Sequence, residues 1–254
     1  MIGLFQEMGP CKFELGTQNT VPVNNTFSWN NNVNMLYIDQ PIEVGFSRGN
    51  GTVASTKSAA PYVWNLLQAF YASFPQYRSR DFGIFTESYG GHYGTEFARY
   101  IQDQNKANAG EHINLIALGI NNGWHDSITQ EPAYVDYAYN NSYKPFLSKA
   151  QHTKYHQWFA DYCLPDLLLC NKTESNFDCT TADRACRAVV ENPLYSLIDF
   201  NIYDIRKPPG DNEPPGNYLK YLQDPQVLKA IGAKKQFVEC SSEVMRRFVA
   251  TGDR

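Results

Sequence analysis

The stretch DFGIFTESYGGHYGTEFARYIQ, residues 81–102, constrains the fold more than any other part of the chain. Asp81–Phe85 carries an apolar run of strand length, and from His92 onward Tyr93, Phe97 and Ile101 recur at helical spacing. Between them lie Thr86, Glu87, Ser88, Tyr89 and the pair Gly90–Gly91. A strand that becomes a helix within so few residues needs a sharp turn, and only small side chains let the backbone through. The helix N-terminus then points N–H groups and a positive dipole end at whatever sits on the turn. Ser88 is therefore either a nucleophile held on a strand–helix elbow or a hydroxyl in an ordinary turn. The glycine usual two residues before such a serine is replaced by Thr86, whose β-carbon is expected to crowd the helix.

Two further apolar runs, VNMLYI (33–38) and INLIALGI (113–120), read as buried strands like DFGIF (81–85). Between the first and DFGIF lies SAAPYVWNLLQAFYASFPQY. Its Val63, Leu66, Leu67 and Phe70 fall at helical spacing, and Phe74–Pro75 closes it. Strand, helix, strand, helix, strand is the order of an α/β chain, a parallel sheet with helices on both faces. After about Ser127 the pattern turns helical and polar-aromatic as far as RKPPGDNEPPGNY, and reads as an insertion standing on the sheet. Residues 218–231 look helical, and QFVECSSEVMRRFVATGD leads back toward the core. The expected segments are 1–126, a core bearing the elbow; 127–235, a cap; and 236–254, a return to the core.

Composition excludes several classes. With 254 residues, 43% hydrophobic and 19% charged, the chain can bury a sizeable core. A net charge of -4 and the lack of a basic stripe give no reason to expect nucleic acid as a partner. No run approaches the roughly 20 apolar residues of a membrane span. The opening MIGLFQEMGPCKFEL has neither the basic nor the apolar region of a signal peptide. No cofactor or metal motif is present.

Of six cysteines, Cys163, Cys170, Cys179 and Cys186 follow one another in steps of seven, nine and seven. A chain that doubles back would stack Cys163 on Cys186 and Cys170 on Cys179, two nested disulfides. The competing four-cysteine zinc site lacks the C-x2-C spacing such sites use. Cys11 and Cys240 remain, to pair with each other or with cysteines outside the chain. Four N-x-[ST] acceptors, at Asn24, Asn50, Asn140 and Asn171, fit a glycosylated protein of the secretory route.

The segment TESYGGHYG resembles the serine carboxypeptidase elbow, G-E-S-Y-[AG]-G-H-Y, and the resemblance runs along the whole chain. GLFQEMGP (3–10) is similar to the family's block around an acidic substrate-binding residue. WNNNVNMLYIDQPIEVGFS (29–47) is similar to its W-N-x-x-A-N block, and ALGINNGWHDSITQ (117–130) to its G-I-x-[IL]-G-N-G-x-x-D-P block. The cysteine spacing and ECSSEV (239–244) also match. The resemblance implies an α/β-hydrolase fold, a mostly parallel sheet flanked by helices with a helical, disulfide-bearing cap, here incomplete at both termini. It implies Ser88 as nucleophile and the Tyr89 backbone N–H as half of an oxyanion hole. It also implies Glu7 and Glu87 as the acidic pair that binds a substrate's C-terminal carboxylate. Carboxyl groups so close must share protons, so such a site holds substrate best at acidic pH. The implied activity is release of C-terminal amino acids from peptides through an acyl-enzyme, in a vacuolar or extracellular compartment.

The family's triad aspartate and histidine come beyond Gly252–Asp253, and its N-G-G-P-G-C block, with the expected partner of Cys240, precedes Gly3. Of the histidines present, His92 is one turn past Ser88, His112 precedes a strand, His125 follows it, and His152 and His156 lie in the insertion. None follows a late core strand, so none is expected to be the general base, and the chain is expected to be inactive alone. An acyltransferase or esterase on the same fold, or a secreted non-catalytic relative, are the competing readings. Tyr134, Tyr137 and Tyr139 are candidates for the substrate-pocket wall.

Overall fold

The structure, a computed structural model of the 254-residue chain, describes residues 1–14, 21–197, 199–210 and 216–253. The chain divides into two compact units, Met1–Val53 with Gly210–Met245, and Ala54–Pro209 with Arg246–Arg254. Residues 127–209 fall in the same unit as Ser88.

In the first unit, Phe5, Phe13, Tyr218, Leu222 and Phe237 form a buried core rich in ring contacts. Phe5 stacks on Tyr218 at 5.9 Å and is tilted against Phe13 at 5.6 Å. The two-residue strands β1 (Cys11–Lys12) and β2 (Val23–Asn24) pair antiparallel. The run 33–38, expected as a buried strand, forms no ladder, and Val33 and Leu36 are exposed. An apolar run becomes a strand only beside a partner backbone, and among the described residues none pairs with it. Residues 211–215, in the Pro/Gly-rich close of the insertion, lie outside the described residues. The helical stretch that follows is two helices, α8 (Asn217–Tyr221) and α9 (Pro225–Ala230). Pro225 has no N–H to continue the first helix, and Asp224 Oδ1 accepts from the Gln226 N–H at 2.7 Å to start the second.

In the second unit, β3 (Phe82–Glu87) and β4 (Leu115–Asn121) are parallel neighbours, with a register shift between Phe82 and Gly83 and, beyond it, Thr86 opposite Ile120 and Glu87 opposite Asn121. Helix α2 (Gly90–Lys106) packs against both strands and α1 (Thr56–Ser73) packs against α2. The strands were expected to be buried throughout; instead exposure alternates along β3, and Phe85 and Ile116 are exposed. Helices cover one face of this pair, so the other keeps contact with solvent. Helix α1 begins in a capping box in which Ser55 Oγ accepts from the Ser58 N–H and Ser58 Oγ from the Ser55 N–H. Its buried stripe is Ala60, Val63, Trp64, Leu67 and Tyr71, leaving Leu66 exposed.

The helices after β4 are α3 (Ser127–Tyr139), α4 (Lys149–Trp158), α5 (Leu164–Thr173), α6 (Asn176–Cys186) and α7 (Asn192–Tyr195). Val135, Leu147, Tyr155, Phe159, Cys163, Cys186 and Val190 are their shared core. Cys163 is bonded to Cys186 and Cys170 to Cys179, one bridge inside the other across the α5–α6 hairpin. Glu174 turns that hairpin in the left-handed region at φ 51°, and Ser175 caps α6 by accepting from the Asp178 N–H. Cys11 and Cys240 are both free thiols.

Candidate active site

Ser88 stands between the last residue of β3 and the first turn of α2, at φ 55°. A non-glycine residue rarely adopts this left-handed conformation, and it is held here from both sides. The Ser88 N–H donates to the Asn121 carbonyl at 3.1 Å. The Ser88 carbonyl accepts from Gly91 N–H at 2.9 Å and Trp124 N–H at 2.7 Å. The turn is thus tied to the helix it opens and to the loop after β4. A β-carbon at Gly91 would come within 2.0 Å of the Trp124 carbonyl oxygen, so only glycine fits.

Thr86 does not crowd the helix as its sequence position suggested. Its hydroxyl donates to the Gly90 carbonyl at 2.8 Å, and its side chain fills room left by two glycines. A β-carbon at Gly90 would lie 2.4 Å from Thr86 Cβ, and one at Gly94 2.8 Å from Thr86 Oγ1. The missing glycine of the elbow has been exchanged for space on the facing helix.

Tyr89, next to the serine, is anchored by its side chain. Its hydroxyl donates to the Asp253 carbonyl at 2.5 Å and lies 3.4 Å from Thr56 Oγ1. The ring packs among His92, Tyr93, Trp124 and Phe248. Burial, and next the proximity of Asp253, push the phenol far above its ordinary range, so it stays neutral. Asp253 also accepts from the Thr56 backbone N–H.

Ser88 opens on a cavity of about 790 Å³ lined by His92, Trp124 and His125 near the elbow and by residues of α3, α5, α6 and α7. Burial holds the His92 imidazole below its ordinary pKa; Asp253 opposes the shift and His125 adds to it. Among the described residues neither ring is hydrogen-bonded to the Ser88 hydroxyl. His112 is exposed in the turn before β4. His152 and His156, one turn apart on α4, both direct Nε2 at Asp136 Oδ1, at 2.8 and 2.7 Å. The His152 hydrogen bond chiefly holds Asp136 below the usual carboxylate range; slight burial opposes it, and His156 adds to it. Among the described residues these three form the cluster that could hold a metal ion, their ligand atoms all within 4.8 Å of one another. Sequence reading found no metal motif, although the i, i+4 histidine spacing was visible.

Glu87 ends β3 with an exposed side chain. Glu7 ends a short π-turn, Gly3–Glu7, in the first unit. It too is exposed, and with burial as the larger cause it raises the pKa of Tyr37. Asn24, Asn50, Asn140 and Asn171 are all exposed. Tyr134 and Tyr137 line the cavity, and Tyr139 packs instead against His152, ring centres 4.4 Å apart. Sequence reading missed Glu131, Asp183 and Glu191, which also line the cavity, because nothing in the composition of QEPAY marks its glutamate as buried.

A family model described as Serine carboxypeptidase matches residues 1–253. Carboxypeptidase S1 of Penicillium janthinellum is 53% identical over 258 aligned positions, covering 100% of this chain and 60% of the relative. A Carboxypeptidase Y homolog A of Talaromyces stipitatus is 34% identical and is covered to 45% of its length. The chain therefore spans about half the length of the curated relatives it matches. Among solved structures, Kex1(delta)p, a prohormone-processing carboxypeptidase of Saccharomyces cerevisiae, superposes with a TM-score of 0.75 at 22% identity. That match covers 99% of this chain and 57% of the other. The fold is the α/β-hydrolase fold with a helical, disulfide-bearing cap, its sheet small in this chain. With its elbow and its whole described length matched, the chain belongs to the serine carboxypeptidase family.

Proposed function

We propose that the chain carries the acylation centre of a serine-type carboxypeptidase, with Ser88 as nucleophile and the Tyr89 N–H as one oxyanion donor. The single observation that carries this reading is Ser88 at φ 55° on a strand–helix turn that opens on a cavity large enough for peptide side chains. Attack by Ser88 Oγ on the carbonyl of the last peptide bond would release the C-terminal amino acid and leave an acyl-serine for water to hydrolyse. The N-terminus of α2 supplies donors and dipole where negative charge develops. Glu87 and Glu7 are assigned to the substrate's C-terminal carboxylate, a carboxylic acid donating to a carboxylate under acidic conditions. Two disulfides and four exposed sequons support an oxidising, secretory compartment.

The placement of the five histidines supports a chain that does not turn over by itself. His152 and His156 are engaged with Asp136, and His112 is exposed before β4. His92, its pKa lowered chiefly by burial, and His125 line the cavity, and among the described residues neither is hydrogen-bonded to the Ser88 hydroxyl. The test uses the 254-residue chain with a fluorophosphonate probe and a blocked dipeptide at acidic pH. Slow labelling lost in Ser88→Ala, without dipeptide turnover, is expected. Labelling that survives Ser88→Ala removes the nucleophile assignment, and Ser88-dependent turnover removes the inactivity. For the carboxylate role, Glu87→Ala should weaken binding of a blocked dipeptide free acid much more than of its amide. Equal loss on both would take Glu87 out of carboxylate recognition.

A further inference from the structure

Where α3 meets α4, Asp136, His152 and His156 converge on one point, and none of the three lines the cavity of Ser88. His152 and His156 stand four apart on α4, a spacing that puts both imidazoles on one helix face. Asp136 faces them from α3. One of its oxygens, Oδ1, meets Nε2 of His152 at 2.8 Å and Nε2 of His156 at 2.7 Å. The three ligand atoms all lie within 4.8 Å of one another.

The helices that carry these side chains are held firmly. Val135 and Tyr155, the sequence neighbours of Asp136 and His156, are buried in the core that α3 and α4 share. Ser148 and Gln151 form a reciprocal cap at the start of α4. The His152 ring packs on Tyr139, centres 4.4 Å apart, and meets the His156 ring edge-on at 4.6 Å. Asp136 itself is exposed and both histidines are half-buried, so an ion can reach the cluster from solvent. A nitrogen that points a proton at Oδ1 points a lone pair there once the proton has left. The same orientation therefore serves a shared cation.

We propose that Asp136, His152 and His156 form a zinc site that ties α3 to α4, with a fourth position open to water. Two imidazoles and a carboxylate are donors that suit Zn²⁺, and histidine pairs at this helical spacing bind it on other folds. Two nitrogen ligands disfavour calcium and magnesium, which take oxygen. Tetrahedral ligands at about 2.0–2.2 Å from the metal stand about 3.4 Å from one another. The two contacts to Asp136 must therefore open by about 0.6 Å, which rotation of an exposed aspartate supplies without moving either helix. The inference is independent of the peptidase reading, because these residues lie outside the cavity on which Ser88 opens.

The test is zinc binding to the 254-residue chain by calorimetry, at neutral pH in a buffer that does not chelate the metal. A protonated imidazole offers no lone pair, so acidic conditions are avoided. One equivalent should bind, and His152→Gln, His156→Gln and Asp136→Asn should each weaken it at least about tenfold. Zinc should also raise the denaturation midpoint of the unmutated chain and not that of the double variant His152→Gln/His156→Gln. Cobalt(II) in place of zinc should give the visible absorption of a tetrahedral site, without the thiolate charge-transfer band that the free Cys11 or Cys240 would add. No binding by the unmutated chain, a midpoint that zinc leaves unmoved, or binding that survives the double variant overturns the proposal. The three residues are then a hydrogen-bonded cluster only. Should the double variant fail to fold, Asp136→Asn, an isosteric change at an exposed position, decides in its place, and unchanged affinity there overturns the proposal equally.

Discussion

Thr86 donates its hydroxyl proton to the Gly90 carbonyl at 2.8 Å, four residues further on, across the very turn that its side chain was expected to disturb. Strand and helix are fitted to each other there as a pair. Gly90→Ala should therefore destabilise the chain by about 1–3 kcal/mol through overpacking. In a Thr86→Gly background the same change should cost clearly less, since the added methyl then has room. A double-mutant cycle read by chemical denaturation checks this, and additive effects would contradict the coupling.

Ser88→Gly should raise stability while removing reactivity. The left-handed φ of 55° disfavours serine and not glycine, a difference of about 1 kcal/mol. The measurement is a shift in denaturation midpoint beside complete loss of fluorophosphonate labelling. A destabilised Ser88→Gly would mean the turn relaxes elsewhere.

The stability of the chain should fall as pH rises through the neutral range because of Glu131. Its folded pKa, about 8, lies above the ordinary 4.5, so its contribution is complete below about 4.5 and is lost progressively until about 8. Glu131→Gln should flatten that part of the profile, with a difference of up to a few kcal/mol at the alkaline end. Parallel thermal-unfolding profiles for the two proteins would count against a buried, raised carboxyl.

The disulfides should contribute unequally. Cys163–Cys186 closes the longer loop, 23 residues apart against 9, and both its half-cystines are buried in the helical core. Replacing Cys163 and Cys186 by alanine should cost more than replacing Cys170 and Cys179, each pair within about 2–4 kcal/mol. Thermal melts of the two double variants decide the order.

What was legible in the sequence follows from how local each signal is. The elbow could be read because strand, turn and helix are contiguous, and the cysteine ladder because a hairpin repeats its spacing. The run 33–38 misled because an apolar stretch does not reveal whether another backbone lies beside it. Phe85 misled because a strand buried on one face and one buried on both share the same residue types. Glu131 was invisible for a related reason: burial of a single acid is decided by α6 and the turn after it, some fifty residues away. The accommodation of Thr86 required knowing that Gly90 and Gly94 face it, which helical geometry supplies only once the helix start is fixed.

The three backbone hydrogen bonds at Ser88 have a mechanical consequence. With its amide held by Asn121 and its carbonyl shared by Gly91 and Trp124, the residue cannot adjust φ or ψ without breaking the ties to α2 or to the loop after β4. The one soft coordinate left to the oxygen is rotation about Cα–Cβ, with three staggered settings. Aiming the nucleophile is thereby reduced to a choice among three discrete positions, and whichever group selects one of them controls the chemistry.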